Sequence, residues 1–425
     1  MTMGIYESYC KAYKISTDSR HIEPAAVFFA LKGERFDGND FALEVAKQGV
    51  ASLVVADRQS LPDHPRIVKV NDSLEALQGL ALQHRKAMKD LPVLSITGTN
   101  GKTTTKELVS AVLSKKFRLI STQGNYNNHI GVPLTLLRIT PETQFAVVEM
   151  GANHPGEIKT LANLACPDYG IITNIGKAHL EGFGSFEGVV KTKNELYDNL
   201  KANGKTAFVN GDNALLMDLS KDLKRYTYGT ANADCLVKPE ACDPYLSVRW
   251  ENMVIQTNLV GSYNFENVAA AIAVGLHFGV DANDIKEALE SYQPTNSRSQ
   301  VIDGKNHIIM DAYNANPTSM NASVNNFRNI SGDNALPILG DMRELGDASE
   351  QEHKAILKLL KDSGFKQAYL VGPCFSQYND NADYLTFAKV EDLVAYLEQH
   401  PVEGRTILVK GSRGIQLEKV LPLIQ

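Results

Sequence analysis

The feature that most constrains this chain is an alternation that starts at Pro92. Short apolar runs, "PVLSI", "FAVVE", "GIITN" and "TAFVN", alternate with helical stretches. Continuous apolar runs of this length suit strands buried on both faces, as parallel strands in a doubly wound sheet are. The alternation resumes with "HIIMD", "PILGD", "AYLVG" and "TILVK", separated by helices such as "ASEQEHKAILKLLKD" and "VEDLVAYLEQ". Ahead of both, "AAVFFALKG", "NDFALEVAKQG" and "ASLVVAD" read as strand, helix, strand. The pattern predicts an α/β protein of three domains, residues 1–84, 85–295 and 296–425. A helix over "DSLEALQGLALQHRKAM", capped by Asp72 or Ser73, leads into the second domain. The proline and polar run of "SYQPTNSRSQ" form a linker to the third. Between Asp243 and Val260 the pattern "PYLSVRWENMVIQTNLV" predicts a small antiparallel excursion.

Composition narrows the partners. A chain of 425 residues that is 43% hydrophobic can bury more than one core. Its net charge of -6, with acids and bases evenly scattered, leaves no basic stripe for phosphate-backbone binding, so nucleic acid is not an expected partner. The first residues, "MTMGIYESYCKAYKISTDSR", hold no uninterrupted apolar stretch, and no run approaches the ~20 apolar residues of a membrane span. The cytoplasm is the expected location. Five cysteines without C-x-x-C spacing (Cys10, Cys166, Cys235, Cys242 and Cys374) argue against a disulfide framework or a structural zinc site.

Several apolar runs end, on their C-terminal side, in residues suited to chemistry: a glycine-rich loop after Ile96, then Glu149, Asn174, Asp311 and Lys410. Open α/β sheets bind ligands at the carboxyl ends of their strands, so these residues are expected around clefts. In "SITGTNGKTTTKE", only Thr99 and Asn100 separate Gly98 from Gly101, shorter than the common P-loop. The glycines let the backbone turn so that several N–H groups face one anion at a helix N-terminus. Lys102 is expected at the β- and γ-phosphates, and Thr103 at Mg²⁺. Glu149 reads either as a second Mg²⁺ ligand or as a solvated strand end. His179, in "NIGKAHLEGFGS", reads either as a ligand or as a surface histidine. Lys191 and Lys193, in "GVVKTKNELY", read as a solvated helix face, because an ammonium beside Mg²⁺ is repelled unless its charge is removed or reversed.

Together "GTNGKTT", "EMGANH", "NIGKAHLEGFGS", "KTKNELY", "GSYNFENVAAA" and "DAYNANPTS" resemble the Mur ligases of bacterial cell-wall synthesis, over about residues 18–410. The resemblance implies a UDP-substrate domain, a central P-loop ATPase with a mostly parallel sheet, and a C-terminal Rossmann-like domain. It implies ATP held by Gly98, Thr99, Asn100, Gly101, Lys102, Thr103 and Thr104, and two Mg²⁺ ions at Thr103, Glu149 and His179. Lys193 matches a lysine that is carbamoylated in several relatives. Asn264 and Asn267 match an adenine-side pair, although Tyr263 stands where many relatives have histidine. Arg298 is implied at the γ-phosphate and Asp311 at the ribose. Thr17, Ser19, Arg20 and Asp37 resemble uridine-diphosphate contacts, and Asn125, Asn127 and Asn128 should face a muramoyl-peptide.

Within the family, "STQGNYNNHIGVPLTLL", "ILGDMRELG" and "VKGSRG" resemble the member that joins D-Ala-D-Ala to UDP-MurNAc-tripeptide through an acyl phosphate. No Asp-Asn-Pro-Arg signature of the ligase adding the third residue is present. The resemblance also implies a monomer. A related amide ligase and a switch ATPase that makes no amide are the competing readings.

Overall fold

In the computed structural model, which describes residues 2–242, 244–294 and 298–425, the alternating runs form three sheets. The first has four parallel strands in the order Ile15–Ser16, Val27–Phe29, Leu53–Ala56 and Ile67–Lys69. The third has six strands: Gln300–Asp303 is antiparallel to its neighbour, and His307–Met310, Thr406–Lys410, Ala335–Gly340, Ala368–Val371 and Tyr384–Phe387 run parallel. Thr295, Asn296 and Ser297 of the expected linker lie outside the described residues.

The central nine-stranded sheet positions the chemistry. The strand Val93–Thr97, third from one edge, is buried at all five positions and lies between Phe145–Glu149 and Tyr169–Ile172, both parallel to it. The glycine-rich loop, Glu149 and the segment beginning at Thr173 therefore leave three adjacent strands at the same edge. This is where the strand order reverses, the usual ligand crevice of an open α/β sheet. The loop feeds the helix Lys102–Ser114, whose Leu108, Val109, Val112 and Leu113 are fully buried against Phe145–Glu149 and the helix Phe265–His277. Burial of such side chains contributes about 1.5–3 kcal/mol each, which fixes the loop to a rigid element.

The antiparallel excursion is larger than its sequence suggests. Tyr245–Trp250 and Met253–Val260 pair as expected, but Cys235–Cys242 joins them, antiparallel on one side and parallel to Lys224–Gly229 on the other. Cys235–Cys242 is mostly exposed and its register shifts between Pro239 and Ala241, so its apolar periodicity is weak.

The expected helix forms as Ser73–Ala87, with the Asp72 carboxylate accepting from the Glu75 backbone N–H. It packs into a core that draws on both the first and the central sheets. Fully buried His84 donates from Nε2 to the Ile139 carbonyl at 2.9 Å, while Tyr6 Oη lies 3.4 Å from its Nδ1 and Tyr9 donates to the Leu137 carbonyl at 3.0 Å. Burial pushes the His84 pKa below its ordinary 6.5. The unfolded chain therefore binds the proton first, so this residue's contribution to stability is complete above pH 6.5 and falls as pH drops through the window below it. Urea midpoints measured on either side of that value should show the loss, and His84→Gln, which keeps a donor without the titration, should reduce it.

Candidate functional site

A cleft of about 1200 Å³ opens where the central sheet, the Gly261-to-Asn267 turn and the third domain meet. It exceeds the ~300–1,000 Å³ of ordinary small-molecule pockets. Thr99, Asn100, Gly101, Lys102, Thr103 and Thr104 line its floor. Gly98 and Gly101 are required by shape as well as by φ values of 143° and 78°. A Cβ at Gly98 would lie 2.0 Å from Thr173 Oγ1, and one at Gly101 2.5 Å from Asn267 Oδ1. Asn174, at the end of the adjacent strand, holds the loop: its Oδ1 accepts from the Asn100 N–H at 3.0 Å and its carbonyl from the Thr99 N–H at 2.9 Å. The Lys102 ammonium donates to the Gly98 and Thr99 carbonyls at 2.7 and 2.9 Å. Desolvation lowers its pKa to about 8, with Glu149 opposing the shift and Arg298 adding to it.

Glu149 is not a solvated strand end. Only 1% exposed, it accepts at Oε1 from Thr103 Oγ1 at 3.1 Å and from Asn127 Nδ2 at 2.8 Å, while buried Oε2 has no hydrogen-bond partner among the described residues. An unpartnered buried carboxylate oxygen costs several kcal/mol unless a cation or water satisfies it. The donor set of carboxylate and hydroxyl fits Mg²⁺.

His179 also reaches the cleft. It holds a left-handed φ of 50° ahead of the short helix Leu180–Phe183, and its Nδ1 hydrogen-bonds the Glu344 carboxylate of the third domain. Burial lowers its pKa, and Glu344 works against that shift.

The solvated-face reading of the two lysines fails for one of them. Residues two apart on a helix point in nearly opposite directions, and on Phe186–Ala202 Lys191 is exposed whereas Lys193 is 2% exposed. The Lys193 Nζ sits 5.6 Å from the centroid of the Phe183 ring, and desolvation, with Lys102 adding, lowers its pKa to about 7.

The remaining residues separate into two groups. Asn125, Asn127, Asn128, Asn264, Asn267, Arg298 and Asp311 line the cleft. Asn264 and Asn267 form a buried relay beneath the loop: Thr105 Oγ1 donates to Asn267 Oδ1, Asn267 Nδ2 to Asn264 Oδ1, and Asn264 Nδ2 to the Val260 carbonyl. Asn128 Oδ1 accepts from the Ile130 and Gly131 N–H groups. The Arg298 guanidinium lies 3.6 Å from the centroid of the Tyr313 ring. Asp311 pairs with buried Lys410 at 2.6 Å and accepts from Ser323 Oγ at 3.0 Å. Thr17, Ser19, Arg20 and Asp37 do not line this cleft. They lie on the loops after Ile15–Ser16 and Val27–Phe29, where Arg20 pairs with Asp18 and Asp37 accepts from Asn39 and Arg58.

Sequence reasoning missed the groups by which the third domain grips the loop. Asn316 caps the helix Pro317–Ile330 and donates from Nδ2 to Asn100 Oδ1 at 2.8 Å, while Thr318 Oγ1 accepts from the Lys177 N–H at 3.2 Å. Both belong to "DAYNANPTS", where an Asn-Pro pair ahead of a helical pattern is a recognisable cap signal.

Three family models cover most of this architecture: the Mur ligase family catalytic domain over residues 11–85, the Mur ligase middle domain over 96–275, and the Mur ligase glutamate ligase domain over 297–413. The chain belongs to the Mur ligase family. Within it, the chain is 36% identical over 423 residues to the UDP-N-acetylmuramoyl-tripeptide--D-alanyl-D-alanine ligase of Bacillus subtilis, covering 96% of this chain and 92% of that protein. Its fold is similar to that of MurF from Acinetobacter baumannii, with a TM-score of 0.86, 31% identity, and 97% and 93% of the two chains covered. The MurF ligase of Thermotoga maritima in complex with ADP gives a TM-score of 0.84 at 27% identity, covering 97% and 96%.

Proposed function

We propose that this chain is an ATP-dependent amide ligase that joins D-alanyl-D-alanine to UDP-N-acetylmuramoyl-tripeptide in peptidoglycan precursor synthesis. The observation that carries the reading is the convergence of the short phosphate loop, Glu149 with its unpartnered oxygen, and His179 on one cleft closed by the third domain. Similarity to ligases of that name over nearly the whole chain supports the choice of substrates.

The tripeptide carboxylate attacks the γ-phosphorus of ATP, the bond to the bridging oxygen breaks, and ADP leaves an acyl phosphate. The amine of D-Ala-D-Ala then attacks the carbonyl, loses a proton, and expels phosphate as the amide forms. Carboxylate and triphosphate repel each other, so the site must supply concentrated positive charge. The loop amides and Lys102 hold the phosphates, and Arg298 approaches from the third-domain side. Thr103, Glu149 and His179 would hold Mg²⁺, two ions in all, and the metal would neutralise charge on the transferring phosphoryl group. A carbamate on Lys193 would reverse a charge that otherwise repels the metal.

Asn264, Asn267 and Asp311 take the nucleoside side, Asn125, Asn127 and Asn128 the muramoyl-peptide, and Thr17, Ser19, Arg20 and Asp37 the uridine diphosphate. The division at 84/85 and 295/296 belongs to the same proposal, as do a monomeric state and a cytoplasmic location. No helix among the described residues is long and apolar enough to cross a membrane.

Phosphate release from ATP and Mg²⁺ should require both UDP-MurNAc-tripeptide and D-Ala-D-Ala for sustained turnover. Release indifferent to both would overturn the proposal.

A further inference from the structure

The geometry points to Glu344 as a positioning residue: by holding His179, it makes the affinity of the central domain for its divalent cation depend on docking of the third domain. The inference rests on the reading of His179 as a metal ligand.

The loop that carries Glu344 leaves the strand Ala335–Gly340 and is pinned at successive residues. The Asp341 carboxylate accepts from the N–H groups of Cys374 and Phe375 at 2.8 and 2.9 Å, the Met342 N–H donates to Nε2 of fully buried His353 at 3.1 Å, and the Arg343 N–H donates to Ser412 Oγ at 2.9 Å. His353 uses its other nitrogen on the Ser349 carbonyl at 2.7 Å, so Asp341, His353 and Cys374 form a structural joint whose imidazole has no lone pair free for a metal. Glu344 then adopts a left-handed φ of 62° and faces His179, itself at 50°. Two non-glycine residues in this sparsely populated conformation meet across one interface, where the surrounding structure must over-determine them.

Side chain meets side chain, and the Glu181 N–H donates to the Glu344 carbonyl at 3.3 Å. Beside this contact, Lys177 pairs with Glu352 at 2.7 Å. The carboxylate takes Nδ1 of His179, which fixes the tautomer and leaves Nε2 as the nitrogen able to ligate a cation. A carboxylate on the second nitrogen of a ligating histidine orients the ring and raises its basicity, and losing such a partner typically costs about 10–100-fold in metal affinity. The two interdomain pairs thus differ in kind: Lys177–Glu352 touches no proposed ligand, whereas Glu344 touches one directly.

The test is Mn²⁺ binding, read by electron paramagnetic resonance on the full-length protein with a non-hydrolysable ATP analogue, in wild type and in Glu344→Ala, Glu344→Gln, Glu352→Ala and His179→Ala. Glu344→Ala should weaken Mn²⁺ at least about tenfold. Glu344→Gln, whose amide oxygen still accepts from Nδ1, should recover part of the loss, and Glu352→Ala, which removes a docking contact without touching His179, should cost less than Glu344→Ala. Weakening in His179→Ala without weakening in Glu344→Ala overturns the role given to Glu344 and leaves the metal reading standing. Unchanged affinity in His179→Ala removes the metal reading itself. Equal losses in Glu344→Ala and Glu352→Ala would reduce Glu344 to a docking contact.

Discussion

Lys102→Ala should lower the rate of ATP-dependent amide formation by at least ~10²–10³-fold, the usual cost of removing one group aimed at developing charge. The side chain lines the cleft at the start of the helix Lys102–Ser114. Its ammonium is held over the carbonyls of Gly98 and Thr99, with the Arg298 charge close enough to depress its pKa. Burial lowers its pKa, so its charge is carried at a cost in the folded protein, and the variant should unfold at or above the wild-type denaturant midpoint near pH 7. That separation makes the result interpretable: a stable protein with near-normal kcat would remove Lys102 from the mechanism.

The lowered pKa adds a second, signed expectation. In the free enzyme the ammonium is lost as pH rises through about 8, and kcat/KM for ATP reports free-enzyme groups. It should therefore fall on the alkaline side of that value, and Lys102→Ala should lack this limb.

The strand, glycine-rich loop and helix were legible because their evidence is local: strand, glycines, lysine and amphipathic helix follow one another. Val93–Thr97 and Phe145–Glu149 were legible for a related reason, since strands buried at every position leave uninterrupted apolar runs. Lys193 was not. A lysine on a helix otherwise rich in charge reads as solvated, and only the packing of Phe186–Ala202 on the sheet places it inside. The two readings of Glu149 could not be separated either, because the decisive fact is an oxygen without a partner, which is a property of the folded surroundings. Glu344 lies 165 residues from His179, and no periodicity connects them. Positions whose role depends on two domains meeting leave no mark in either domain's own pattern. Asn316 is the instructive intermediate: its cap signal was readable, while its contact with Asn100 was not.

Lys193→Arg should be as inactive as Lys193→Ala, with both losing at least ~10²-fold in turnover. A purely electrostatic or structural role for a cation would predict the opposite, since arginine keeps the charge and most of the length. The expectation follows from burial. Desolvation and the neighbouring Lys102 lower the Lys193 pKa to about 7, so a large share of the side chain is a neutral amine at physiological pH. A neutral amine adds to CO₂: the nitrogen–carbon bond forms, one amine proton is released, and a carbamate anion results. Guanidinium retains its proton throughout the accessible pH range and cannot follow.

The sign with pH is fixed by the same chemistry. Below about 7 the ammonium form dominates and a carbamate would be lost, so activity in CO₂-depleted buffer should fall on the acid side and recover when bicarbonate is added. Neither Lys193 variant should respond to bicarbonate. Electron density showing a bare amine at Lys193 in the substrate-bound, active protein would exclude the carbamate. An unchanged rate in Lys193→Arg would return the residue to the role of a buried cation over the Phe183 ring.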